Sequence, residues 1–344
     1  MNFLSEEELE SVKLTPEDIQ ELMLEHQKLM LELNPPKSDG ICLRITISEQ
    51  HELYAMERIS GIKEICDLTL DVAPGFMTQQ GVVTDKELAR ISTINNLQRL
   101  EVKYMPVTGE FLKYCGSLEK LCSMEIQQCL LEDLFFDYLP IISSLEYLTI
   151  CGEENFRIPK FDNLLKCKKL RHFSLDCSDY HDDFISRLPS HPTLKSIDLH
   201  GNELTGKKLD FLREMCSLKD INLATNKIDD RGVKYLMNSI PPTLDDLGVG
   251  SNQITDAAMP IIAENKSIRV LALNYNRGIT DKGIQVLGKM QQLRHIFLGN
   301  TQVTLEGAKE LQETLRKCYI SMGDIEGVGK DISLAALEYP EDYD

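Results

Sequence analysis

A short pattern of apolar residues recurs along this chain at a nearly constant interval. One copy begins at Leu194 and places apolar residues at its first, fourth and sixth positions, with Ile197 and Leu199 separated by a polar residue. Alternation of this kind predicts a β-strand with one face in a core. Because units that repeat at a fixed interval stack on their neighbours and bury one continuous core, the recurrence constrains the fold more than any other feature.

The pattern occurs twelve times if its weaker copies are included. The copies begin at residues 42, 65, 97, 121, 145, 170, 194, 218, 244, 268, 293 and 315. Successive starts are 22 to 26 residues apart, with one interval of 32 residues. The longer interval predicts an inserted loop around Phe76, which we expect to contact a partner because inserted loops at a strand end often do. A surface insertion without function is the alternative.

The second half of each copy has the pattern of a helix. Thr255, Thr280 and Thr304 are capping residues, each followed by residues at helical spacing. An asparagine also recurs at the ninth position of the copies, and its amide can satisfy backbone groups of adjacent coils. These asparagines are Asn202, Asn226, Asn252 and Asn276.

These residues resemble the leucine-rich-repeat superfamily, and the resemblance covers most of the chain. Repeats of 24–26 residues are similar to the ribonuclease-inhibitor-like and cysteine-containing types, and to intracellular bacterial effectors of the GALA type. The resemblance implies an α/β leucine-rich-repeat solenoid, a horseshoe with a parallel concave sheet, convex helices and an N-terminal helical cap. In this family the recurring asparagines form a hydrogen-bonded ladder, which Cys129 and Ser178 would interrupt here.

Three regions follow from the pattern. Residues 1–37 form a predicted N-terminal helical cap, since Thr15-Pro16-Glu17-Asp18 is a strong helix start. Residues 38–320 form the solenoid of about 11–12 repeats. Residues 321–344 form a C-terminal cap and an acidic tail that ends in Asp344.

Strand side chains alternate, so the third, fifth, seventh and eighth positions of each copy are expected to project into the concave groove. In the C-terminal copies these positions carry aromatic rings, which are frequent hot spots of protein binding. In the middle copies they carry carboxylates. We therefore predict partner-binding residues at Tyr275, His295, Phe297, Tyr319, Asp198, Asp220 and Asp246, together with Phe76.

Charge and composition exclude several functions. With 37 Lys and Arg against 55 Asp and Glu, the net charge of −18 disfavours nucleic acid as a partner. The sequence shows no secretory signal and no apolar run long enough for a membrane span. Ten scattered cysteines are typical of a reducing compartment. We expect a cytoplasmic monomer, in the host cytosol if the protein is a secreted effector.

Two constellations could carry chemistry. Cys151, Asp176 and His200 lie at one position of three consecutive copies, which suggests a nucleophile with a base. Two strand spacings separate the cysteine from the histidine by roughly 10 Å, which is too far for direct proton transfer. A metal site could use His172, Asp176, Asp198 and His200, but a flat sheet rarely converges four ligands. We predict no enzyme, no catalytic residue, no metal and no cofactor.

The function predicted from the sequence is a non-catalytic protein–protein interaction module. A rigid groove preorganises many contacts, and its acidic middle favours a partner with a basic patch. The resemblance to bacterial effectors implies a host protein as the target, although residues 1–40 lack the F-box pattern of GALA-type proteins. The alternative is an inhibitor or substrate-recognition subunit that acts on a basic enzyme or a ubiquitin-ligase target.

Overall fold

The structure, a computed structural model, describes residues 41–47, 64–72 and 83–323. These residues belong to two units. The first unit lies within residues 37–180 and 187–194, and the second unit comprises residues 181–186 and those from 195 onwards. The predicted N-terminal cap, the loop around Phe76 and the acidic tail lie outside the described residues, so these expectations stay predictions.

Parallel strands in chain order form the sheet of the first unit. Each strand pairs with the next one along the chain. The strands are β1 (Ile41–Ile47), β2 (Ile65–Val72), β3 (Arg99–Lys103), β4 (Ser123–Gln127), β5 (Tyr147–Cys151) and β6 (His172–Asp176). The connections contain helices α1 (Asp85–Leu88) and α2 (Phe135–Tyr138) and the 3-10 segments Ala89–Thr93, Glu110–Ser117, Leu139–Ile141 and Phe161–Lys166.

The second unit repeats this arrangement with shorter strands. Its strands are β7 (Ser196–Asp198), β8 (Asp220–Asn222), β9 (Asp246–Gly248), β10 (Val270–Ala272), β11 (His295–Phe297) and β12 (Tyr319–Ser321), again parallel and paired in chain order. Its helices are α3 (Asp182–Ile185), α4 (Asp230–Ser239), α5 (Met259–Ile262), α6 (Asp281–Ile284) and α7 (Leu305–Thr314), with 3-10 segments at Asp210–Glu214, Asp256–Ala258 and Gln285–Lys289. The predicted α/β leucine-rich-repeat fold is confirmed.

The predicted repeat positions are correct except at the two ends. Cys42 pairs with Asp67, and Tyr319 pairs with His295, so both belong to the third position of their repeats. The repeat starts assigned to residues 42 and 315 are therefore wrong by two residues. A slip of two residues keeps every side chain on its own face of the sheet, so apolar alternation alone cannot detect it.

The strands contribute to the core the apolar side chains at the fourth and sixth positions. In the repeats of β7 to β11 these side chains are at most 1% exposed. They are Ile197, Leu199, Ile221, Leu223, Leu247, Val249, Leu271, Leu273, Ile296 and Leu298. Each buried aliphatic side chain of this size contributes about 1.5–3 kcal/mol of transfer free energy, so the stacked strands stabilise one another.

The predicted asparagine ladder runs through the second unit. Asn226 donates from Nδ2 to the carbonyl oxygen of Leu199 in the preceding repeat, at 3.0 Å, and accepts the backbone N–H of Leu204 at 2.9 Å. Asn252 and Asn276 make corresponding bonds. Buried backbone groups need such partners, because an unpaired one costs about as much free energy as a lost hydrogen bond.

A glutamate continues this ladder in the first unit. Glu153 occupies the same ninth position and is completely buried. Its carboxylate accepts the backbone N–H groups of Cys129 and Leu131, and its own N–H donates to the Ser178 hydroxyl at 3.1 Å. Burial raises the pKa of Glu153 to about 7, although the two backbone hydrogen bonds act in the opposite direction. The ladder therefore continues past Cys129 and Ser178, with the carboxylate of Glu153 in place of an asparagine amide.

A second set of bonds joins the helical halves of neighbouring repeats. The carboxylate of an aspartate at the first helical position accepts two hydrogen bonds from one threonine of the next repeat. The donors are the backbone N–H and the hydroxyl of that threonine, which lies before the helical segment of its repeat. Asp230 accepts the N–H and the hydroxyl of Thr255 at 2.8 and 2.7 Å. We call this contact the Asp–Thr clamp. It recurs between Asp85 and Thr108, Asp182 and Thr205, Asp256 and Thr280, and Asp281 and Thr304.

The eighth position adopts the left-handed backbone conformation in the nine repeats that begin at residues 97 to 293. Cys177 has φ +49° and Tyr275 has φ +61°. The same conformation occurs at Tyr104, Gln128, Gly152, Gly201, Thr225, Ser251 and Asn300. It ends each strand and redirects the eighth side chain, which in a continuing strand would point to the opposite face from the seventh. Strand alternation therefore does not apply beyond the seventh position.

Candidate partner-binding face

Two rows of side chains cover the outer face of the sheet in the second unit. The row at the third position contains Ser196, Asp220, Asp246, Val270, His295 and Tyr319. The row at the fifth position contains Asp198, Asn222, Gly248, Ala272, Phe297 and Ser321. Neighbours in a row are about 4.8 Å apart. We call these two rows the strand face; one end of it is acidic and the other aromatic.

The aromatic end is a cluster of His295, Phe297 and Tyr319. The rings of His295 and Phe297 are stacked with centroids 4.9 Å apart, and the ring of Tyr319 meets His295 edge-on at 4.7 Å. All three side chains are half-buried. Ring pairs in such geometries contribute about 0.5–1.5 kcal/mol beyond their buried area, so the cluster is held in place before any partner arrives.

An apolar patch adjoins the aromatic cluster. Val270 is next to His295 in its row and completely buried, and Ala272 is next to Phe297 and 5% exposed. Phe297 packs against both residues. Val270 and Ala272 are thus buried support for the ring of Phe297, and the half-buried aromatic side chains are the part of this end that a partner can contact.

Tyr275 lies at the eighth position of the β10 repeat, outside both rows. It is half-buried, and its backbone N–H donates to the carbonyl oxygen of Gly299 at 2.8 Å. The sequence predicts that Tyr275 projects into the groove by strand alternation, but β10 ends at Ala272 and Tyr275 follows it in the left-handed conformation. Tyr275 therefore belongs to neither row of the strand face.

The carboxylates at the acidic end are buried. Asp198, Asp220 and Asp246 are 5%, 5% and 1% exposed, so they do not form the open acidic surface that the sequence predicts. Neither carboxylate oxygen of Asp246 has a hydrogen-bond partner among the described residues, whereas a hydrogen bond with the Ser196 side chain acts to lower the pKa of Asp220. Burial, followed by the charge of Asp198, raises the pKa of Asp220. Burial, followed by the charges of Asp220 and Asp245, raises the pKa of Asp246.

Asp198 differs from Asp246 because its carboxylate has several hydrogen-bond partners. Its Oδ1 accepts the backbone N–H of His200 at 2.9 Å and lies 3.0 Å from Nδ1 of the same residue. Its Oδ2 accepts Nδ2 of Asn222 at 3.1 Å. These bonds fix the orientation of Asp198 and direct its charge towards Asp220.

The outer face of the first unit has a different character, because its charges are paired with one another. Lys103 forms ion pairs with Glu101 and Glu125, and Arg99 lies 3.9 Å from Glu125. Thr69 adds a hydrogen bond to Glu101 at 2.8 Å. This face also carries a ring pair, Tyr147 and His172, whose centroids are 6.4 Å apart.

The structure argues against an activated nucleophile at Cys151. Cys151 and Asp176 are register partners, and Cys177 follows in the same repeat. A hydrogen bond with Cys177 raises the pKa of the Cys151 thiol, and burial and the charge of Asp176 raise it further. A thiol nucleophile needs the opposite environment, since the thiolate is the reactive form.

The four-residue metal set that was considered from the sequence and set aside cannot bind one ion with all four side chains. His172 and Asp176 lie four residues apart on the same strand, β6. Their backbones are therefore separated by roughly 13 Å, which is too far for both to bind one ion directly. His200 instead contacts Asp198.

Sequence reasoning did not single out Val270. It is a β-branched apolar residue at a position where the other repeats carry polar or aromatic side chains. That departure from the alternation was visible in the sequence and indicates an apolar contact on the outer face. The burial of Asp220 and Asp246 could not be inferred, because the same register also permits exposed carboxylates.

Comparison with known proteins supports the repeat architecture. A sequence profile for the family described as Leucine Rich repeat matches residues 214–237 and 264–288, which include strands β8 and β10. This chain contains leucine-rich repeats. Among curated relatives, Podocan-like protein 1 of Homo sapiens is 25% identical over 167 residues, covering 47% of this chain and 31% of the relative. Ribonuclease inhibitor of Mus musculus is 28% identical over 147 residues, covering 38% of this chain and 32% of the relative.

The leucine-rich-repeat chain thus matches about a third of the length of each of these relatives. Among solved structures, a chain of the mouse RP105/MD-1 complex has a TM-score of 0.50 and 16% identity, covering 73% of this chain and 43% of that one. At this identity the likeness concerns the fold alone. In the part of the chain that the structure describes, no helix is long and apolar enough to cross a bilayer.

Proposed function

We propose that this leucine-rich-repeat chain is a non-catalytic module that binds a protein partner on the strand face of its second unit. The observation that carries the proposal is the half-buried cluster of His295, Phe297 and Tyr319 beside Val270 and Ala272. Aromatic side chains held by a rigid scaffold lose little conformational entropy on binding. The aromatic cluster is therefore the expected anchor for an apolar side chain of the partner.

The acidic end of the strand face supports a partner that also carries positive charge. Asp246 has no hydrogen-bond partner among the described residues, and the buried carboxylates of Asp220 and Asp246 repel each other when ionised. A lysine or arginine of the partner placed against them would stabilise the ionised pair. Because both residues are almost completely buried, that side chain has to enter between the neighbouring side chains of the two rows.

A comparison of two variants tests the proposal. The triple variant Tyr275→Ala/Phe297→Ala/Tyr319→Ala removes aromatic rings from the proposed surface. The matched control, Tyr235→Ala/Leu305→Ala, removes two exposed apolar side chains from α4 and α7. Both variants and the wild type would serve as bait for binding proteins, and circular dichroism would verify that each is folded. We expect at least one protein to bind the wild type and the control but not the triple variant.

The captured protein then allows a quantitative test. Truncation of a hot-spot residue costs about 2 kcal/mol or more, which corresponds to a 30-fold increase in Kd. Wild-type binding should also weaken as ionic strength rises, since salt screens the contribution of charge. Equal capture by all three baits would place the site elsewhere and reject the strand face.

A second candidate function is inhibition of a basic enzyme. The match to ribonuclease inhibitor over 147 residues favours it. Addition of this chain to a ribonuclease assay tests the idea: a dose-dependent loss of activity that salt abolishes would support it, and unchanged activity would reject it for that enzyme. The bacterial-effector role, the ubiquitin-ligase link, the cytoplasmic location and the monomeric state stay predictions.

A further inference from the structure

Three metal-ligating side chains meet at the ends of β5 and β6 in the first unit. One donor atom each of Cys151, Asp176 and Cys177 can be chosen such that all three lie within 4.8 Å of one another. This group is outside the strand face of the second unit. It is also different from the histidine-containing set considered from the sequence, because it combines two thiols with one carboxylate.

The repeat geometry explains why these side chains converge. Cys151 and Asp176 are register partners at the seventh position, so their side chains lie side by side on one face of the sheet. Cys177 follows in the left-handed conformation, with φ +49°, and this places its thiol beside the other two groups. A continuing strand would direct the Cys177 side chain to the opposite face.

The carboxylate is held in position by a neighbouring hydroxyl. Asp176 is 6% exposed, and its Oδ2 accepts a hydrogen bond from the Ser174 hydroxyl at 2.7 Å. Such bonds orient a ligand and strengthen metal binding. Access from solvent is available at the other side of the group, since Cys177 is exposed and Cys151 is half-buried.

We propose that Cys151, Cys177 and Asp176 bind a divalent cation that accepts thiolate ligands, with Zn²⁺ as the best fit. Zinc takes four tetrahedral ligands, commonly thiolate sulfur at about 2.3 Å and carboxylate oxygen at about 2.0–2.2 Å. These bond lengths correspond to ligand separations of roughly 3.5–4 Å, so the three groups need to approach one another only slightly. A water molecule completes the tetrahedron. Magnesium and calcium prefer oxygen ligands and are disfavoured.

The test uses Co²⁺ as a spectroscopic substitute for Zn²⁺. Full-length protein is titrated with Co²⁺ under anaerobic conditions with a non-thiol reductant. Thiolate coordination produces a sulfur-to-cobalt charge-transfer band in the near ultraviolet, and tetrahedral geometry produces intense visible bands. We expect both signals to saturate at one equivalent of Co²⁺ and to disappear when Zn²⁺ is added.

Three variants test which residues bind the ion. Cys151→Ser and Cys177→Ser should each weaken Co²⁺ binding by more than about 100-fold, since even the loss of an outer-shell partner costs about 10–100-fold. Cys216→Ser, which removes an exposed thiol of the second unit, should bind as the wild type does. Circular dichroism verifies that each variant is folded. Because Cys177 is exposed, its substitution should disturb the fold less than that of Cys151. Absence of the charge-transfer band in the wild type, or its persistence in both cysteine variants, would overturn the proposal.

Discussion

The carboxylate of Asp256 holds the next repeat by two bonds to one residue, Thr280. Oδ1 accepts the Thr280 backbone N–H at 2.7 Å, and Oδ2 accepts its hydroxyl at 2.6 Å. This Asp–Thr clamp joins the helical halves of neighbouring repeats, whereas the strands and the ladder join their other halves. Repeats that share a clamp are thus joined both at their strands and at their helical halves.

Removal of the clamp should destabilise the second unit. Hydrogen bonds to charged groups contribute about 1.5–3 kcal/mol, so Asp256→Ala is expected to lower the free energy of unfolding by about 2 kcal/mol or more. Thr280→Val keeps the backbone bond and should cost less. Urea-induced unfolding followed by circular dichroism measures both. Glu264→Ala, which removes an exposed carboxylate nearby, serves as the control and should change the free energy of unfolding by less than about 0.5 kcal/mol.

The clamp explains why Gly283 has no side chain. A Cβ atom at this position would lie 2.1 Å from Oδ1 of Asp256. Gly283→Ala should therefore lower the free energy of unfolding, although alanine favours a helix by about 1 kcal/mol over glycine. On the Asp256→Ala background the same substitution should cost at least about 1 kcal/mol less, because neighbouring sites are not additive. Equal costs on both backgrounds would refute the steric explanation, and Gly323→Ala, which meets open space, is the control.

The buried ladder carboxylate predicts a dependence of stability on pH. The pKa of Glu153 is about 7 in the folded chain, against 4.5 for an unperturbed glutamate. The folded state therefore retains a proton that the unfolded state releases between these values. The free energy of unfolding should fall as pH rises from about 4.5 to 7, by up to about 3 kcal/mol from this group.

Two variants assign this pH dependence. Glu153→Gln cannot ionise, so its stability should change less with pH over the same interval, even if the variant is less stable overall. Glu154→Gln, the exposed neighbour, should retain the wild-type dependence. Thermal unfolding at pH 5, 6 and 7 distinguishes the two outcomes. A wild-type slope in Glu153→Gln would show that another group is responsible.

The carboxylates of the strand face predict an effect of the same sign. Because the pKa of Asp246 is raised, the folded chain resists its ionisation, and the contribution of this group to stability is lost as pH rises above the ordinary aspartate range. Asp246→Asn does not ionise. Its stability relative to the wild type should therefore increase from pH 4 to pH 8 in urea-induced unfolding. A constant difference would indicate that Asp246 is already paired in solution.

The regular parts of this chain were predictable because one periodic pattern specifies them. The repeat spacing places Leu247 and Leu271 at the same position of neighbouring repeats, and in the structure they are buried register partners. The register at Cys42 and Tyr319 was not predictable, since a slip of two residues leaves the alternation intact. Helices were predicted in every repeat, yet many connections are short 3-10 turns, because core packing and the clamps determine the backbone there more than helix propensity does.

The candidate site was predictable in its position but not in its environment. Alternation places Phe297 and Asp220 on the outer face, as the structure confirms. Burial depends on neighbouring side chains across several strands, and a single strand pattern contains no information about it. The role of Glu153 was not predictable either, because the asparagine pattern does not indicate that a glutamate can take the same position. Its carboxylate accepts backbone N–H groups as the asparagine oxygen does, although an ionised carboxylate cannot donate as the amide nitrogen does.

The left-handed residue at the eighth position has a consequence for how such a chain could be modified. Tyrosine, glutamine, cysteine, threonine, serine and asparagine all occupy the same backbone conformation there. The backbone geometry is thus independent of side-chain chemistry at one defined place in the nine repeats from Tyr104 to Asn300. Substitutions at this column can change charge, size or metal affinity one repeat at a time while the core, the ladder and the clamps remain as they are. The protein therefore offers a series of sites for new chemistry along an unchanged scaffold.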